Sequence, residues 1–130
     1  MVEIISDLAE ISARYDAVLC DLWGCVHDGV TAFPEAIAAL QTYRAQGGTV
    51  LLLTNAPRAR AVVAEHLAQL DVPDTAWDVI STSGDSARAA MFQGAVGQRI
   101  YFIGEAPRDL HFFDPMSLVA DAASIDRVAL

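Results

Sequence analysis

Short apolar runs alternate along the chain with segments of helical periodicity, and this alternation limits the possible folds more than any other feature. Strands are predicted at residues 17–21, 49–53, 77–80 and 99–103. Helices are predicted between them, from Pro34 to the glycines at 47–48, at 58–70 and at 86–93. The resulting order β-α-β-α-β-α-β predicts an α/β fold with a parallel, doubly wound sheet. The run at 49–53 is almost continuously apolar, which is typical of a strand buried on both faces.

Weaker signals lie outside this alternation. Apolar residues at helical spacing predict a short amphipathic helix over residues 3–13. The glycines between the first strand and Pro34 predict a turn-rich loop or a small hairpin. One or two helical turns are predicted at 107–113, and residues 126–130 begin like a strand.

Composition and charge restrict the class of protein and its partners. The 130 residues are 54% hydrophobic, which is enough for one domain with a real core. The formal net charge is −9, and all eight basic side chains are arginines. This balance predicts no nucleic acid and no membrane as partner, because both bind through clusters of Lys and Arg. No export signal or membrane-length apolar run is recognised, so a cytoplasmic location is expected.

The two cysteines are expected to be reduced thiols in such a location. Cys20 lies in an apolar run and predicts core packing. A zinc site formed by Cys20, Cys25 and His27 is an alternative, although the spacing matches no standard ligand pattern.

Polar residues follow three of the predicted strands. Asp21 ends the first strand, Thr54 and Asn55 end the second, and residues 81–84 end the third. Since strand carboxyl ends line the ligand crevice of such a sheet, these loops are expected to converge on one site. A carboxylate after a buried strand needs a metal ion, backbone N–H groups or both for stabilisation. Arg58, on the following helix, could hold an anionic substrate through a bidentate contact.

These residues suit phosphoryl transfer. Asp21 could attack phosphorus and form an aspartyl-phosphate. Mg²⁺ would be needed to bridge the two anions, bound by a carboxylate and waters. The hydroxyl of Thr54 and the backbone N–H groups of the turn at Asn55 could hold the phosphoryl oxygens.

The segments that carry this chemistry resemble the haloacid dehalogenase (HAD) superfamily, and most closely its class IIA, NagD-like phosphatase branch. The matching segments are DLWGCVHDG at 21–29, LLLTNAPR at 51–58 and ISTSGD at 80–85. The resemblance implies a HAD-like Rossmannoid core that hydrolyses a small phosphorylated metabolite. By the same resemblance Asp21 is the nucleophile and a Mg²⁺ ligand, and the main-chain carbonyl of Trp23 is a second ligand. Thr54 and Asn55 would bind the phosphoryl group.

The sequence also departs from that family. Trp23 stands where the phosphatases usually carry an aspartate that acts as acid and base. His27 is the nearest titratable replacement, and the alternative is a solvated turn residue. The family's lysine and its late acidic Mg²⁺ ligands are not found, because the sequence contains no lysine and ends at Leu130.

The resemblance therefore covers an incomplete core. It implies that residues 1–84 are the first half of the core and that residues 85–130 begin a C2-type cap domain. A phosphatase that is impaired as this short chain is expected. The alternative is a non-catalytic or truncated HAD-like domain with a binding or association role, including a homo-oligomer formed through an exposed sheet edge or the incomplete cap. A receiver-like phospho-acceptor module is a weaker alternative. Such a module normally has an acidic pair before the first turn and a late lysine, and this sequence has neither.

Three other positions have simpler interpretations. Residues 81–85 are equally well explained as a helix N-cap, with Asp85 as the capping residue. His66 falls on the apolar stripe of its helix and is predicted to pack there. Trp77 is predicted to lie in the core or in an interface.

Overall fold

The protein is described by a computed structural model that covers residues 4–97, 99–101, 103–105, 110–113 and 127–129. Strands and helices alternate along it as the sequence predicts. The strands are β1 (Ala17–Cys20), β2 (Thr49–Thr54), β3 (Val79–Thr82), β4 (Arg99–Tyr101) and β5 (Arg127–Ala129). The α-helices are α1 (Ala9–Ser12), α2 (Pro34–Ala45), α3 (Arg60–Gln69) and α4 (Ser83–Phe92). Short 3₁₀ helices lie at Asp74–Ala76 and Leu110–Phe113.

The first three strands form one parallel sheet in the order β1-β2-β3. Cys20, the last residue of β1, is level with Leu52, so β2 continues two residues further along the sheet. Thr54 at the end of β2 is level with Thr82 at the end of β3. Strand β4 does not join this sheet within the described residues and pairs in parallel with β5. The predicted parallel α/β class is therefore confirmed, with an incomplete sheet.

One side of the sheet carries the core. Val50, Leu52 and Ile80 point to this side and are almost fully buried. Helices α2 and α3 cover them, because two successive right-handed crossovers in the same direction place both helices on one side. Their core-facing residues, which belong to the same cluster, are Leu40, Tyr43, Val63 and Leu67. The phenol of Tyr43 also donates a 2.8 Å hydrogen bond to the carbonyl of Tyr15, just before β1.

The opposite side of the sheet is open. Leu19 is 64% exposed, Leu53 46% and Val79 42%, and the strand registers place all three on this side. The sequence predicted burial of the 49–53 strand on both faces, and this prediction is wrong for the described residues. The physical reason is that α2 and α3, whose residues form the core cluster, pack on the other side of the sheet.

Several element boundaries differ from prediction. The helix predicted over 3–13 is the single turn of α1 at Ala9–Ser12, and residues 1–3 lie outside the described part. Strand β3 begins at Val79, two residues later than predicted. Helix α4 begins at Ser83 rather than 86, because Thr82 and not Asp85 caps it, accepting a 2.8 Å bond from the Asp85 N–H.

The remaining predictions are met in part. Strand β4 is described at Arg99–Tyr101, and residue 102 of its predicted range lies outside the described residues. Of the helical turns predicted at 107–113, only 110–113 is described, as a 3₁₀ helix. A strand is confirmed at 127–129. The division into a half core at 1–84 and a cap at 85–130 stays a prediction.

Within the described residues, no helix combines the length and apolar character needed to cross a membrane.

Asp78 joins α2 to the starts of β2 and β3. One carboxylate oxygen accepts bonds from Arg44 Nε at 3.0 Å and Nη2 at 2.6 Å, and the other accepts from Val50 N at 2.7 Å. The Val50 N–H bond and then the Arg44 guanidinium lower the pKa of Asp78 below its ordinary 3.8. The charged form of this side chain therefore stabilises the packing of the helix on the sheet.

We expect Asp78→Asn to lower the midpoint of urea unfolding at pH 7, because an amide cannot accept both Arg44 and Val50 as a carboxylate does. Since the folded pKa is depressed, this stabilisation is complete above the unfolded value of 3.8 and disappears as the pH falls through the folded pKa. The difference between wild type and variant should therefore vanish in acid. Asp74→Asn is the matched control, since only the backbone carbonyl of Asp74 contacts Arg44. An equal effect of the two substitutions would contradict the assignment.

Candidate functional site

A cavity of about 410 Å³ lies at the carboxyl ends of β1 and β2. Its walls come from the loop after β1, the loop after β2 and one face of α3. The lining residues are Leu22, Trp23, His27, Thr54, Asn55, Ala56, Pro57, Arg58, Val63 and His66. The sheet therefore brings together two of the three loops that were expected to converge, whereas residues 81–84 do not line this cavity.

The loop after β1 folds around one carbonyl group. The Leu22 oxygen accepts bonds from the N–H groups of Cys25, Val26 and His27 at 3.2, 2.8 and 3.2 Å. The Gly24 N–H donates to the His27 carbonyl at 2.9 Å, and Gly24 has a positive φ of 75° that suits glycine. The loop is thus turn-rich as predicted, and in place of a hairpin it has one isolated parallel bridge between Trp23 and His27 and one antiparallel bridge between His27 and Ala32.

Trp23 is held at the edge of the cavity although it is 60% exposed. Its indole lies against Gly29, where an added Cβ would come within 2.2 Å of the ring. The His27 ring meets the indole edge-on, with a centroid distance of 5.5 Å. Gly29 is therefore required for the close approach of this aromatic ring.

Asp21 lies beside the cavity rather than on its wall. It follows the last residue of β1 and is exposed. One carboxylate oxygen accepts a 2.8 Å bond from the N–H of Leu22, which does line the cavity. Of the site residues predicted from the sequence, Trp23, Thr54, Asn55 and Arg58 share the cavity wall, and Asp21 adjoins it.

Thr54 presents a buried hydroxyl at the end of β2. It is 3% exposed, and its Oγ1 accepts a 3.2 Å bond from the Ala56 N–H. Because the hydroxyl acts there as acceptor, its proton stays available to a ligand oxygen. Asn55 follows directly and, in contrast to Thr54, is exposed to solvent.

The start of α4 supports the loop after β2. The Thr82 hydroxyl donates a 2.7 Å bond to the Arg58 carbonyl, and the Gly84 N–H donates to Ala56 O at 3.1 Å. A Cβ on Gly84 would lie 2.3 Å from the Arg58 carbonyl oxygen. The N-cap interpretation of residues 81–85 is therefore confirmed, with a second role in positioning the loop that carries Thr54 and Asn55.

Two histidines, His27 and His66, line the cavity, and no clear signal in the sequence indicated that they would meet there. His27 is 2% exposed, so the expectation of a solvated turn residue is wrong. Its Nδ1 accepts the Gly29 N–H at 3.0 Å, and its ring meets the ring of His66 at a centroid distance of 5.6 Å. His66 lies on the apolar stripe of α3 as predicted, and this stripe also faces the loop after β1. Only the tertiary packing of that loop on α3 reveals the pair.

The pKa of His27 lies below its ordinary value of 6.5. Burial disfavours the charged ring, and the like charge of His66 adds to this effect. The carboxylates of Asp28 and Asp21 act in the opposite direction but do not outweigh burial. A neutral His27, with Nδ1 as acceptor, therefore carries its proton on Nε2.

The described residues contain no group of three or more His, Cys, Asp or Glu side chains that could hold a metal ion. This finding removes the zinc alternative based on Cys20, Cys25 and His27. Burial, together with the charges of Cys25 and Asp21, raises the pKa of Cys20 to about 11, so this thiol is protonated at neutral pH. Both cysteines are free thiols, as expected.

Comparison with known proteins agrees with the motifs. A family described as haloacid dehalogenase-like hydrolase matches residues 18–114. The chain is 29% identical over 97 residues to D-glycerol 3-phosphate phosphatase of Mycobacterium tuberculosis, a match that covers 75% of this chain and 27% of that protein. It is 39% identical, with a TM-score of 0.78, to a solved haloacid dehalogenase-like hydrolase from Brucella suis 1330. That match covers 96% of this chain and 45% of the solved one, so the chain spans less than half the length of either relative.

We expect Gly84→Ala to destabilise the fold by about 1–3 kcal/mol, the usual cost of forcing an extra methyl group into a packed site. The clashing atoms belong to the Arg58 backbone, which cannot rotate away as a side chain could. Urea unfolding measures the loss. Ser83→Ala, at the exposed neighbouring position, is the control and should leave the midpoint nearly unchanged. A wild-type midpoint in Gly84→Ala would show that α4 does not support the loop.

We expect the free energy of unfolding to decrease as the pH falls from 7.5 to 5. His27 has a folded pKa below 6.5, so the unfolded chain takes up more protons in this range and the folded state loses stability. His27→Gln should make the free energy of unfolding depend less on pH in this range. His66→Gln should have a smaller effect of the same kind, because it removes only the like charge that acts on His27. The pKa values of Asp28 and Asp78 lie below 3.8, outside this range. An unchanged slope in His27→Gln would refute the assignment.

Proposed function

Because the chain belongs to the haloacid dehalogenase-like hydrolase family, we propose that it is the nucleophile-bearing part of a phosphatase. The proposed reaction is hydrolysis of a small phosphomonoester through an aspartyl-phosphate on Asp21. The name of the Mycobacterium tuberculosis relative, D-glycerol 3-phosphate phosphatase, supports a short, polyhydroxylated phosphate ester as substrate.

One observation carries this proposal. Thr54, Asn55 and Arg58 lie together on one cavity wall, and Asp21 adjoins that cavity through Leu22. A buried hydroxyl, an amide and a guanidinium are donors that suit the oxygens of a phosphoryl group. The cavity volume of about 410 Å³ is in the range of small-molecule sites.

The proposed chemistry has two steps. An Asp21 carboxylate oxygen attacks phosphorus, the bond between phosphorus and the ester oxygen breaks, and the alcohol leaves with a proton. Water then attacks the aspartyl-phosphate, which releases inorganic phosphate and restores the carboxylate. Thr54 and Asn55 would hold the non-bridging oxygens through both steps and stabilise the charge that develops on them.

Mg²⁺ is proposed as the cofactor, with the Asp21 carboxylate and the Trp23 main-chain carbonyl as its protein ligands. Only one of the two Asp21 carboxylate oxygens accepts the Leu22 N–H, which leaves the other oxygen for a metal ion. The Trp23 carbonyl accepts no hydrogen bond from a described backbone N–H, so it too is available. These two oxygens fit part of a magnesium shell, which typically keeps several waters. When bound, the ion would offset the repulsion between the carboxylate and the phosphate.

The described cavity wall has no carboxylate that could act as general acid and base. No Asp or Glu lines the cavity among the described residues, and the Trp23 indole cannot exchange a proton with the leaving group. His27 and His66 are the titratable side chains on the wall. General acid–base catalysis contributes about 10²–10⁴-fold in rate, so a slow enzyme is expected.

This same observation favours the second candidate, a non-catalytic HAD-like domain that binds phosphate esters without turnover. The two candidates share the donors of the Thr54 loop and differ only at Asp21 and at the proton donor. Binding and hydrolysis must therefore be measured separately.

We expect Mg²⁺-dependent release of phosphate from p-nitrophenyl phosphate and from glycerol 3-phosphate. Asp21→Asn should lower the rate at least about 100-fold, because an amide is not a competent nucleophile. The matched control is Asp28→Asn in the same loop, whose Oδ1 accepts the Val30 and Thr31 N–H groups and can still do so as an amide.

Equal activity in Asp21→Asn and wild type would exclude the aspartyl-phosphate mechanism. No turnover by wild type, together with calorimetric binding of inorganic phosphate that Thr54→Val weakens, would support the binding domain instead.

A further inference from the structure

We propose that the indole of Trp23 determines which ligand the candidate site prefers, by forming a wall on which an aromatic ring of the ligand stacks. The preferred ligand is then an aryl phosphate or a related ester, whose phosphate is held by Thr54, Asn55 and Arg58. This inference rests on the proposed binding of a phosphoryl group in the cavity. It holds whether or not the bound ester is hydrolysed.

The first observation is the composition of the cavity wall. Thr54, Asn55 and Arg58 supply its hydrogen-bond donors to an anion. The other lining residues are aliphatic or carry rings: Leu22, Trp23, His27, Ala56, Pro57, Val63 and His66. A few convergent polar groups on a mostly apolar wall are typical of sites that fix one polar end of a ligand and cover an apolar body. The wall thus has more apolar surface than a phosphate alone would need.

The second observation is that most of the Trp23 indole is uncovered. The residue is 60% exposed, and a single exposed aromatic on a convex surface would need no explanation. Trp23 instead lines a concave site next to phosphate-binding donors. A ligand ring that covers the indole there removes apolar surface of both partners from water.

The third observation is that the exposed indole is already held in position. The outer atoms of its six-membered ring, Cη2, Cζ2 and Cζ3, lie against Gly29, whose φ is 94°. The His27 ring lies 5.5 Å away between centroids, at an angle of 67°, and a β-bridge joins the backbones of Trp23 and His27. A side chain that is fixed before binding loses little conformational entropy when a ligand contacts it.

Neighbouring rings favour an aromatic ligand over a polyol. Trp23, His27 and His66 form a row with centroid separations of 5.5 and 5.6 Å. Aromatic rings attract one another at such separations beyond the effect of the area they bury. The hydroxyls of a glycerol ester would instead lose water against this wall without gaining partners from it. The preferred class therefore differs from the glycerol ester in the name of the Mycobacterium tuberculosis relative.

The ring wall and the anion donors come from different loops. Trp23 follows β1, whereas Thr54 ends β2 and Asn55 and Arg58 follow it. A ligand that carries an anion and a ring close together can therefore contact both loops at once. Inorganic phosphate can contact the Thr54 loop but has no group for the indole.

The test compares calorimetric binding of phenylphosphonate and methylphosphonate. Both carry the same anionic group, and neither has the ester bond that a phosphatase breaks, so binding is measured apart from turnover. Phenylphosphonate should bind at least about five-fold more tightly, as expected for one aromatic contact. Cyclohexylphosphonate, which is apolar but not flat, should show a smaller preference.

Variants of Trp23 separate a ligand contact from a structural role. Trp23→Leu should remove the preference for phenylphosphonate and leave the affinity for methylphosphonate unchanged, whereas Trp23→Phe should keep most of the preference. Thr54→Val should weaken both ligands by the same factor. Tyr15→Leu is the matched control, because Tyr15 is also a 60% exposed aromatic but does not line the cavity. Its contact with Tyr43 uses the backbone carbonyl, which the substitution keeps.

Fluorescence gives a second readout. Trp77→Phe leaves Trp23 as the only tryptophan of the sequence. The buried Nε1 of Trp77 has no hydrogen-bond partner among the described residues, so the substitution costs no hydrogen bond. In this background phenylphosphonate should change the emission of Trp23 on binding, and methylphosphonate should change it much less.

Equal affinity for phenylphosphonate and methylphosphonate would overturn the proposal. So would an equal loss of both ligands in Trp23→Leu, since the indole would then only maintain the loop. A preference for the ring that depends on Trp23, without turnover of phenyl phosphate or glycerol 3-phosphate, would support this inference and exclude the phosphatase. Equal binding together with Mg²⁺-dependent turnover would do the reverse, and binding of neither phosphonate would contradict the anion site and the ring wall together.

Discussion

The parallel hydrogen bonding of β1, β2 and β3 determines where every candidate site residue lies. Because the strands run in one direction, their carboxyl ends meet at one edge, and the register sets how far each strand reaches. Strand β1 ends two residues short of β2, which leaves room for the turn around Leu22. Thr82 and Gly84 donate hydrogen bonds to backbone carbonyls of the Thr54 loop and so hold it in place. The cavity is a consequence of strand register rather than of any single loop.

The order of elements was predictable because it depends on local patterns. Apolar runs and helical periodicity each extend over several residues, so the α/β class follows from the sequence. Boundaries were less predictable, because they depend on single contacts. Helix α4 begins at Ser83 since the Thr82 hydroxyl satisfies the Asp85 N–H and at the same time contacts the Arg58 carbonyl. That second contact joins residues 24 positions apart and has no local signal.

The burial of individual side chains was less predictable, because the sequence indicates which residues favour an apolar environment but not which of them are covered. The apolar composition of β2 predicts burial of both faces, but the structure buries only the face that carries Val50 and Leu52. His27 shows the opposite case, since a histidine followed by Asp28-Gly29 has the local character of a solvated turn. It is buried because the turn folds back on the Leu22 carbonyl and presents the ring to α3. Patterns of two to four residues predict turns well, but they carry no information about the surface against which a turn packs.

Trp23 stands where the family pattern has an aspartate, and this difference affects the packing of the whole loop as well as removing a carboxylate. The indole packs on Gly29, where an added Cβ would come within 2.2 Å of the ring, and its ring centroid lies 5.5 Å from that of His27. His27 in turn accepts the Gly29 N–H, so three residues of one loop fix each other. The donors of the Thr54 loop lie on a separate element, whose backbone is hydrogen-bonded to the start of α4. In the proposed site, anion binding would therefore depend on the Thr54 loop and proton transfer on the loop after β1, so a change in the second loop need not remove anion binding.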